Sequence, residues 1–194
     1  MRAAMNKNIC VFCSSSDRVD GVYADAAQGL GEAIAAEKGT LIFGGCRVGL
    51  MGHVARAAKD NGAKVIGVIP QQIFDKGITF DSADELIVTK DLRERKAILD
   101  NLSDVVVALP GGFGTLEEIL ETITLKSLQF HNKPVIFLNT LKFYDRLLNF
   151  FEVLFEQNFA KAKYHELFHV ADTVPAAFQY LKTYQPKDFG PKWF

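Results

Sequence analysis

Three glycines, a carboxylate and an arginine mark where this sequence can do chemistry. Gly111, Gly112 and Gly114 follow the apolar run Val105 to Leu109 and its stop at Pro110, and they precede a helical pattern opening at Thr115. Glycines there remove the side chains that would hold an anion off the backbone, and the first free N–H groups of the helix point back at the turn. Such a junction favours a phosphate. It is neither of the two familiar glycine motifs: a P-loop needs Lys and Ser or Thr after its last glycine, and a dinucleotide fingerprint needs Gly or Ala where Glu117 stands. Glu118 follows at once, so the loop reads as a phosphate seat with a carboxylate beside it. Thr115-Leu116-Glu117-Glu118 also fits a capping box, in which Glu118 would only satisfy the N-cap amide.

The arginine is Arg95. A helix is predicted over Leu92 to Leu102, with Leu92, Leu99 and Leu102 on its apolar face, and Arg95 falls on that stripe by spacing. An unpaired buried charge costs roughly several kcal/mol, so Arg95 must pair, reach a cleft, or snorkel off the stripe's edge. Lys96 lies nearer that edge. One carboxylate, one inward arginine and a phosphate seat point to a phosphosugar or nucleotide on which positive charge develops. Cleavage of an N-glycosidic bond does this, through an oxocarbenium-like transition state that a carboxylate stabilises.

The elements that must position these groups alternate between strand and helix. Strands are predicted at Asn8 to Cys13, Thr40 to Phe43, Lys64 to Ile69, Glu85 to Thr89, Val105 to Leu109 and Pro134 to Leu138. Helices are predicted over residues 22–38 with Gly39 as C-cap, from the loop Gly44 to Gly52 through Asp60, from Thr115 to about Phe130, and over 143–158. The alternation predicts an α/β Rossmann-like three-layer sandwich, a central parallel sheet with helices on both faces, as one domain over 1–194. Ligands in such sheets sit at the carboxyl ends of strands. The loops at Ser14 to Ser16, Gly44 to Gly52 and Gly111 to Gly114 all belong there, which gives two candidate backbone cradles. The serines suit a phosphate or ribose but equally ordinary loop chemistry, and Arg47 is either a charged donor or a solvated loop side chain. Residues 71–84 read as a loop near the site. The apolar 143–158 segment, with Phe143, Leu147, Phe150, Phe151, Leu154 and Phe155, is core or a subunit interface.

Totals exclude several classes. The 194 residues carry 22 Lys plus Arg against 23 Asp plus Glu, a net charge of −1, which gives no bulk attraction for nucleic acid. No apolar run approaches a membrane span and none at the N-terminus suits a signal peptide, so a cytoplasmic protein is expected. Cys10, Cys13 and Cys46 make no disulfide framework, and Cys10-Val11-Phe12-Cys13 finishes a strand instead of opening a helix as redox motifs do. His165-Glu166-Leu167-Phe168-His169 spells HExxH, yet an extended stretch and a helix start near Pro175 follow, which breaks the continuous helix that a zinc site needs.

The residues Pro110 to Glu118 match PGGxGTxxE, and the chain resembles the LOG ("Lonely Guy") family of cytokinin riboside 5′-monophosphate phosphoribohydrolases, formerly labelled lysine decarboxylases. The likeness extends through CVFCSSS at Cys10 to Ser16, GGCRVGLMG at Gly44 to Gly52, GVIP at Gly67 to Pro70 and RERKA at Arg93 to Ala97. It implies hydrolysis of a nucleoside 5′-monophosphate to free base and ribose 5-phosphate, with Arg95 and Glu118 catalytic. It implies substrate binding by Ser14, Ser15, Gly44, Gly45, Met51, Lys96, Pro110, Gly111, Gly112, Phe113, Gly114, Thr115, Leu116, Glu117 and Thr124. No cofactor and no metal are implied, and a homodimer is. Family members commonly carry a substrate-contacting Glu where this chain has Gly77. A lysine decarboxylase would need a pyridoxal cofactor on a lysine with acidic partners, and no lysine is so set. The competing reading is a nucleotide or cofactor carrier of the same fold without turnover.

Overall fold

The computed structural model describes residues 4–190. Its centre is a seven-stranded sheet of β1 (Asn8–Phe12), β2 (Thr40–Phe43), β3 (Lys64–Pro70), β4 (Glu85–Thr89), β5 (Val105–Ala108), β6 (Val135–Leu138) and β7 (His169–Ala171). All neighbours pair parallel in the order β4-β3-β2-β1-β5-β6-β7. From β1 the chain winds outward to β4, then returns to β5 on β1's other side and winds away again. The strand order therefore reverses between β1 and β5, where open α/β sheets leave a crevice at the strands' carboxyl ends. Ser14 follows β1 and Pro110 follows β5, so both sequence-predicted loops flank that crevice.

The middle strands are apolar on both faces because helices cover both. Helices α1 (Gly21–Ala36), α2 (Gly49–Asp60) and α7 (Val174–Thr183) pack with Ile9, Val11, Leu41, Val65 and Val107 on one face. Helices α4 (Leu92–Leu102), α5 (Phe113–Ser127) and α6 (Asp145–Glu156) pack with Cys10, Ile42, Ile66, Val106 and Phe137 on the other. A short helix, α3 (Gln71–Phe74), interrupts the predicted 71–84 loop.

Several boundaries differ from expectation for local reasons. Helix α5 opens at Phe113 with extended Gly112 as N-cap, because Leu116 N–H already reaches the Gly112 carbonyl at 3.0 Å. It stops at Ser127, where Gln129 turns left-handed (φ 64°). Helix α1 likewise stops at Ala36, and Lys38, not Gly39, takes the left-handed position (φ 54°). In α6 only Phe151 is fully buried, while Phe150 is 56% exposed. The two halves of HExxH part company: His165 lies in a 3-10 turn against Glu152 at 2.7 Å, and His169 lies on β7, stacked on Tyr180. Among the described residues no helix is long and apolar enough to cross a membrane. The tail runs irregularly through Gly190, and its last four residues lie outside the described ones.

Candidate active site

Arg95 and Glu118 meet. The Arg95 guanidinium donates from Nη1 to Glu118 Oε1 and from Nε to the Val68 carbonyl at 2.9 Å, so one side chain ties α4 to β3 and to α5. Both side chains are nearly withdrawn from solvent, at 12% and 11% exposure. The capping-box alternative for Glu118 is overturned, since its carboxylate is held by an arginine and Thr115 sits inside the helix, not at its cap. Burial pushes the Glu118 carboxyl above its ordinary value and the Arg95 charge opposes that rise. Gly44 makes the approach possible: a Cβ there would lie 2.5 Å from Arg95 Nη2 and 2.8 Å from Met51 Sδ. Leu92 was expected on the buried stripe with Arg95, yet it is 61% exposed at the first position of α4. Leu99 alone is fully buried there.

The cradle lies one to two turns up α5 from this pair. Among the described residues no side chain caps α5, whose first turn holds no acidic residue. Gly112 and Gly114 face open space, and a Cβ on Gly111 would collide with Thr115 Oγ1 at 2.1 Å. Thr115 is thus buried directly behind Gly111. Ser14 N–H donates to the Pro110 carbonyl at 3.2 Å, joining the β1 loop to the cradle, while Ser15 is exposed beside it. Phe113, at 92% exposure, projects from the mouth.

At the second expected cradle, Gly44 to Gly52, the helix start is already occupied. Asp17 Oδ1 accepts from Gly49 N–H at 2.7 Å and occupies the start of α2 with a carboxylate. That glycine loop serves instead to admit Arg95 and to back the site through Gly45, which packs on Ile69. Arg47 is not an idle loop side chain: Nη1 donates to the Gly77 carbonyl at 2.6 Å and the Thr79 carbonyl at 3.3 Å, strapping the 77–80 segment to the loop. Gly77 itself is left-handed (φ 64°), which disfavours any side chain at that position.

Lys96 and Glu117 form the rim. Lys96 Nζ bridges Glu117 and, at 2.8 Å, Glu121. Burial works against its charge, but the two carboxylates outweigh burial and hold it above its usual value. Leu116 faces the helix-side core near Ile119. Thr124 is not brought to the cluster; it is exposed two turns further along α5, its hydroxyl turned back to the Leu120 carbonyl at 2.8 Å. The three thiols are buried and raised by burial, so none supplies a thiolate, and Cys10 and Cys13 join opposite cores. Sequence reasoning missed Asp17, Val68 and Tyr144, the last of which donates to the Leu109 carbonyl below the cradle. None of them stands out locally, Val68 acting through its backbone carbonyl inside β3, and their partners lie 27 to 35 positions away.

A family model described as "possible lysine decarboxylase" matches residues 51–181. Cytokinin riboside 5′-monophosphate phosphoribohydrolase LOG5 of Arabidopsis thaliana is 39% identical over 184 residues, covering 95% of this chain and 81% of that protein. The chain belongs to the LOG family. The probable member LOGL9 of Oryza sativa subsp. japonica is 41% identical over 180 residues, 93% of this chain and 79% of its own. Among solved structures, the molybdenum cofactor carrier protein of Chlamydomonas reinhardtii superposes with a TM-score of 0.71 at 28% identity, covering 91% of this chain and 96% of that one. The molybdenum cofactor binding protein of Rippkaea orientalis does so at 0.70 and 26%, covering 92% and 98%. The family's description would call for pyridoxal phosphate on a lysine. The residues here do not fit it, because Lys96, the lysine of this site, is committed to two carboxylates.

Proposed function

We propose that this LOG-family chain hydrolyses the N-glycosidic bond of a nucleoside 5′-monophosphate, a cytokinin riboside 5′-monophosphate or AMP. The observation that carries the proposal is the buried Arg95–Glu118 pair below an uncapped glycine helix start. Phosphate seats on the free N–H groups of Phe113, Gly114 and Thr115, where the helix dipole favours an anion. Glu118 lies five residues beyond Phe113, a rise of about 7.5 Å, and its side chain leans back toward the helix start. That leaves the span of a ribose between phosphate and carboxylate. Glu118 then stands beside C1′ as the C1′–N bond breaks and its electron pair leaves with the base; water adds its oxygen to C1′ and the proton it gives up ends on the departed base, giving free base and ribose 5-phosphate. Arg95 holds Glu118 ionised and in place and assists departure of the base, and Glu117 and Lys96 border the ribose.

A cytoplasmic, single-domain homodimer completes the reading. Leu92, Phe113 and Leu120 leave apolar surface around the site mouth that a second copy would cover. Thr124 is four residues past Leu120, on the same face of α5, and so belongs to that interface, not to its own cradle.

The likeness to molybdenum cofactor carriers favours the alternative of binding without turnover. Release of free base from AMP and from isopentenyladenosine 5′-monophosphate decides between them. Wild type should release base, and Glu118→Gln and Arg95→Ala should each lose on the order of 10² to 10⁴ in rate. Binding by wild type with no base released would leave the carrier reading in place.

A further inference from the structure

We infer that Tyr144 is a positioning residue for the cradle, its phenol fixing the turn that sets the Gly111 and Gly112 backbone for phosphate. This rests on reading the start of α5 as the phosphate seat. Tyr144 Oη donates to the Leu109 carbonyl at 2.7 Å, a buried hydrogen bond between residues 35 apart in sequence. Leu109 is the last residue before Pro110, so its carbonyl orients the peptide plane from which the glycine turn departs. Two backbone bonds tie the same turn to the β1 side: Leu109 N–H to the Phe12 carbonyl at 2.9 Å, and Ser14 N–H to the Pro110 carbonyl at 3.2 Å. The phenol ties its other flank, from the β6 side.

Tyr144 is itself held unusually firmly for a residue in a connection. Asn139 Oδ1 accepts from its N–H at 2.8 Å, Asn139 Nδ2 donates to Asp145 at 2.8 Å, and Asn139 N–H donates to the Ala171 carbonyl at 2.7 Å. Its ring packs edge-on against Phe137 and Phe143 with centroids 4.9 Å away. Between Asn139 and Tyr144 the chain takes left-handed backbone at Leu141 (φ 53°) and Lys142 (φ 60°), which residues with side chains rarely adopt. Such local strain persists where surrounding contacts over-determine it, and it clusters at functional sites. Here it delivers one hydroxyl to one carbonyl beneath the cradle.

Charge-assisted bonds from backbone N–H groups to phosphate depend on their alignment, so a loosened turn weakens phosphate binding. The reacting end is anchored separately, through Arg95 to β3. The loss should therefore fall on ground state and transition state alike, raising KM and sparing kcat.

Tyr144→Phe keeps the ring and deletes the hydroxyl. Calorimetric titration with ribose 5-phosphate and steady-state hydrolysis of the nucleotide that wild type cleaves are the two readouts. Kd for ribose 5-phosphate and KM should both rise about tenfold, with kcat within about threefold of wild type and adenosine affinity unchanged. Asn139→Ala, which withdraws the anchor but leaves the phenol, should move both in the same direction by less. A lower melting temperature with Kd and KM unchanged in Tyr144→Phe would make the residue structural only and overturn the inference. If wild type binds ribose 5-phosphate but releases no base, the hydrolase reading falls while the Kd comparison still decides Tyr144. If wild type does not bind ribose 5-phosphate, the cradle is no phosphate seat and the inference falls with it.

Discussion

The Glu118 carboxyl sits between two opposed influences, burial that disfavours its charge and the Arg95 guanidinium that favours it, and burial prevails. Stabilising a cationic sugar requires the ionised carboxylate, so activity should fall as pH drops through a raised carboxyl pKa. The acid limb of kcat/KM is therefore expected above 4.5, the ordinary value for a glutamate. A limb at or below 4.5 would mean that the arginine, not burial, sets the group. Arg95 and Glu118 were legible in the sequence because a charge on an apolar stripe and a carboxylate beside a glycine turn are both anomalies within one short window. Arg47 was not: its partners at Gly77 and Thr79 lie thirty residues away, and nothing in the local pattern distinguishes a clamp from a solvated arginine.

At the scale of elements, two helices begin after glycine loops at the carboxyl edge of the sheet, and only one is open to a ligand. The start of α2 is closed by Asp17, whereas the start of α5 has, among the described residues, only Gly112 as its cap. The sequence shows both loops alike, since the carboxylate that closes α2 comes from the β1 loop, 32 residues upstream. Helices and strands themselves were readable nearly throughout, because covered parallel strands are continuously apolar and the helices between them are periodic. Their ends were less so, as at α5, where a backbone bond to Gly112 decides the first turn two residues early. The open cap can be closed by design. Gly112 is extended (φ −89°, ψ −156°) and a Cβ there meets nothing within 4 Å, so Gly112→Asp is sterically allowed. An Asp cap should stabilise the helix by a few tenths to about 1 kcal/mol while placing a carboxylate in the proposed phosphate seat. The expected variant melts higher than wild type and no longer binds ribose 5-phosphate; retained binding would show that the phosphate sits elsewhere.

Across the whole molecule, α5 joins the site at one end to the C-terminal tail at the other. Tyr184 donates to the Asn132 carbonyl at 2.7 Å, Gln129 holds the Gly190 carbonyl, and Phe189 is buried against Tyr164 and Leu167, so residues 184–190 form a strap over the last turn of α5. Beneath it Lys126 is fully buried, its ammonium 5.2 Å from the centre of the Tyr184 ring and without a hydrogen-bond partner among the described residues. The ring's face and the carbonyl end of the helix favour the cation, but burial, with Lys187 adding repulsion, brings its pKa down to about 8 from an ordinary 10.5. The unfolded chain thus binds the proton more tightly than the folded one. Below pH 8 folding carries the full cost of burying the charge, and as pH rises from about 8 to 10.5 that cost disappears. Lys126→Met removes it at every pH with nearly the same volume. The variant should be more stable than wild type at pH 7, by on the order of 1–3 kcal/mol, with the difference shrinking as pH climbs through 8 to 10.5. Thermal unfolding of both proteins at pH 7, 8.5 and 10 measures this. A variant that melts below wild type at pH 7 would mean that the tyrosine face and helix end stabilise the ammonium by more than burial costs it, and that the strap depends on the charge it covers.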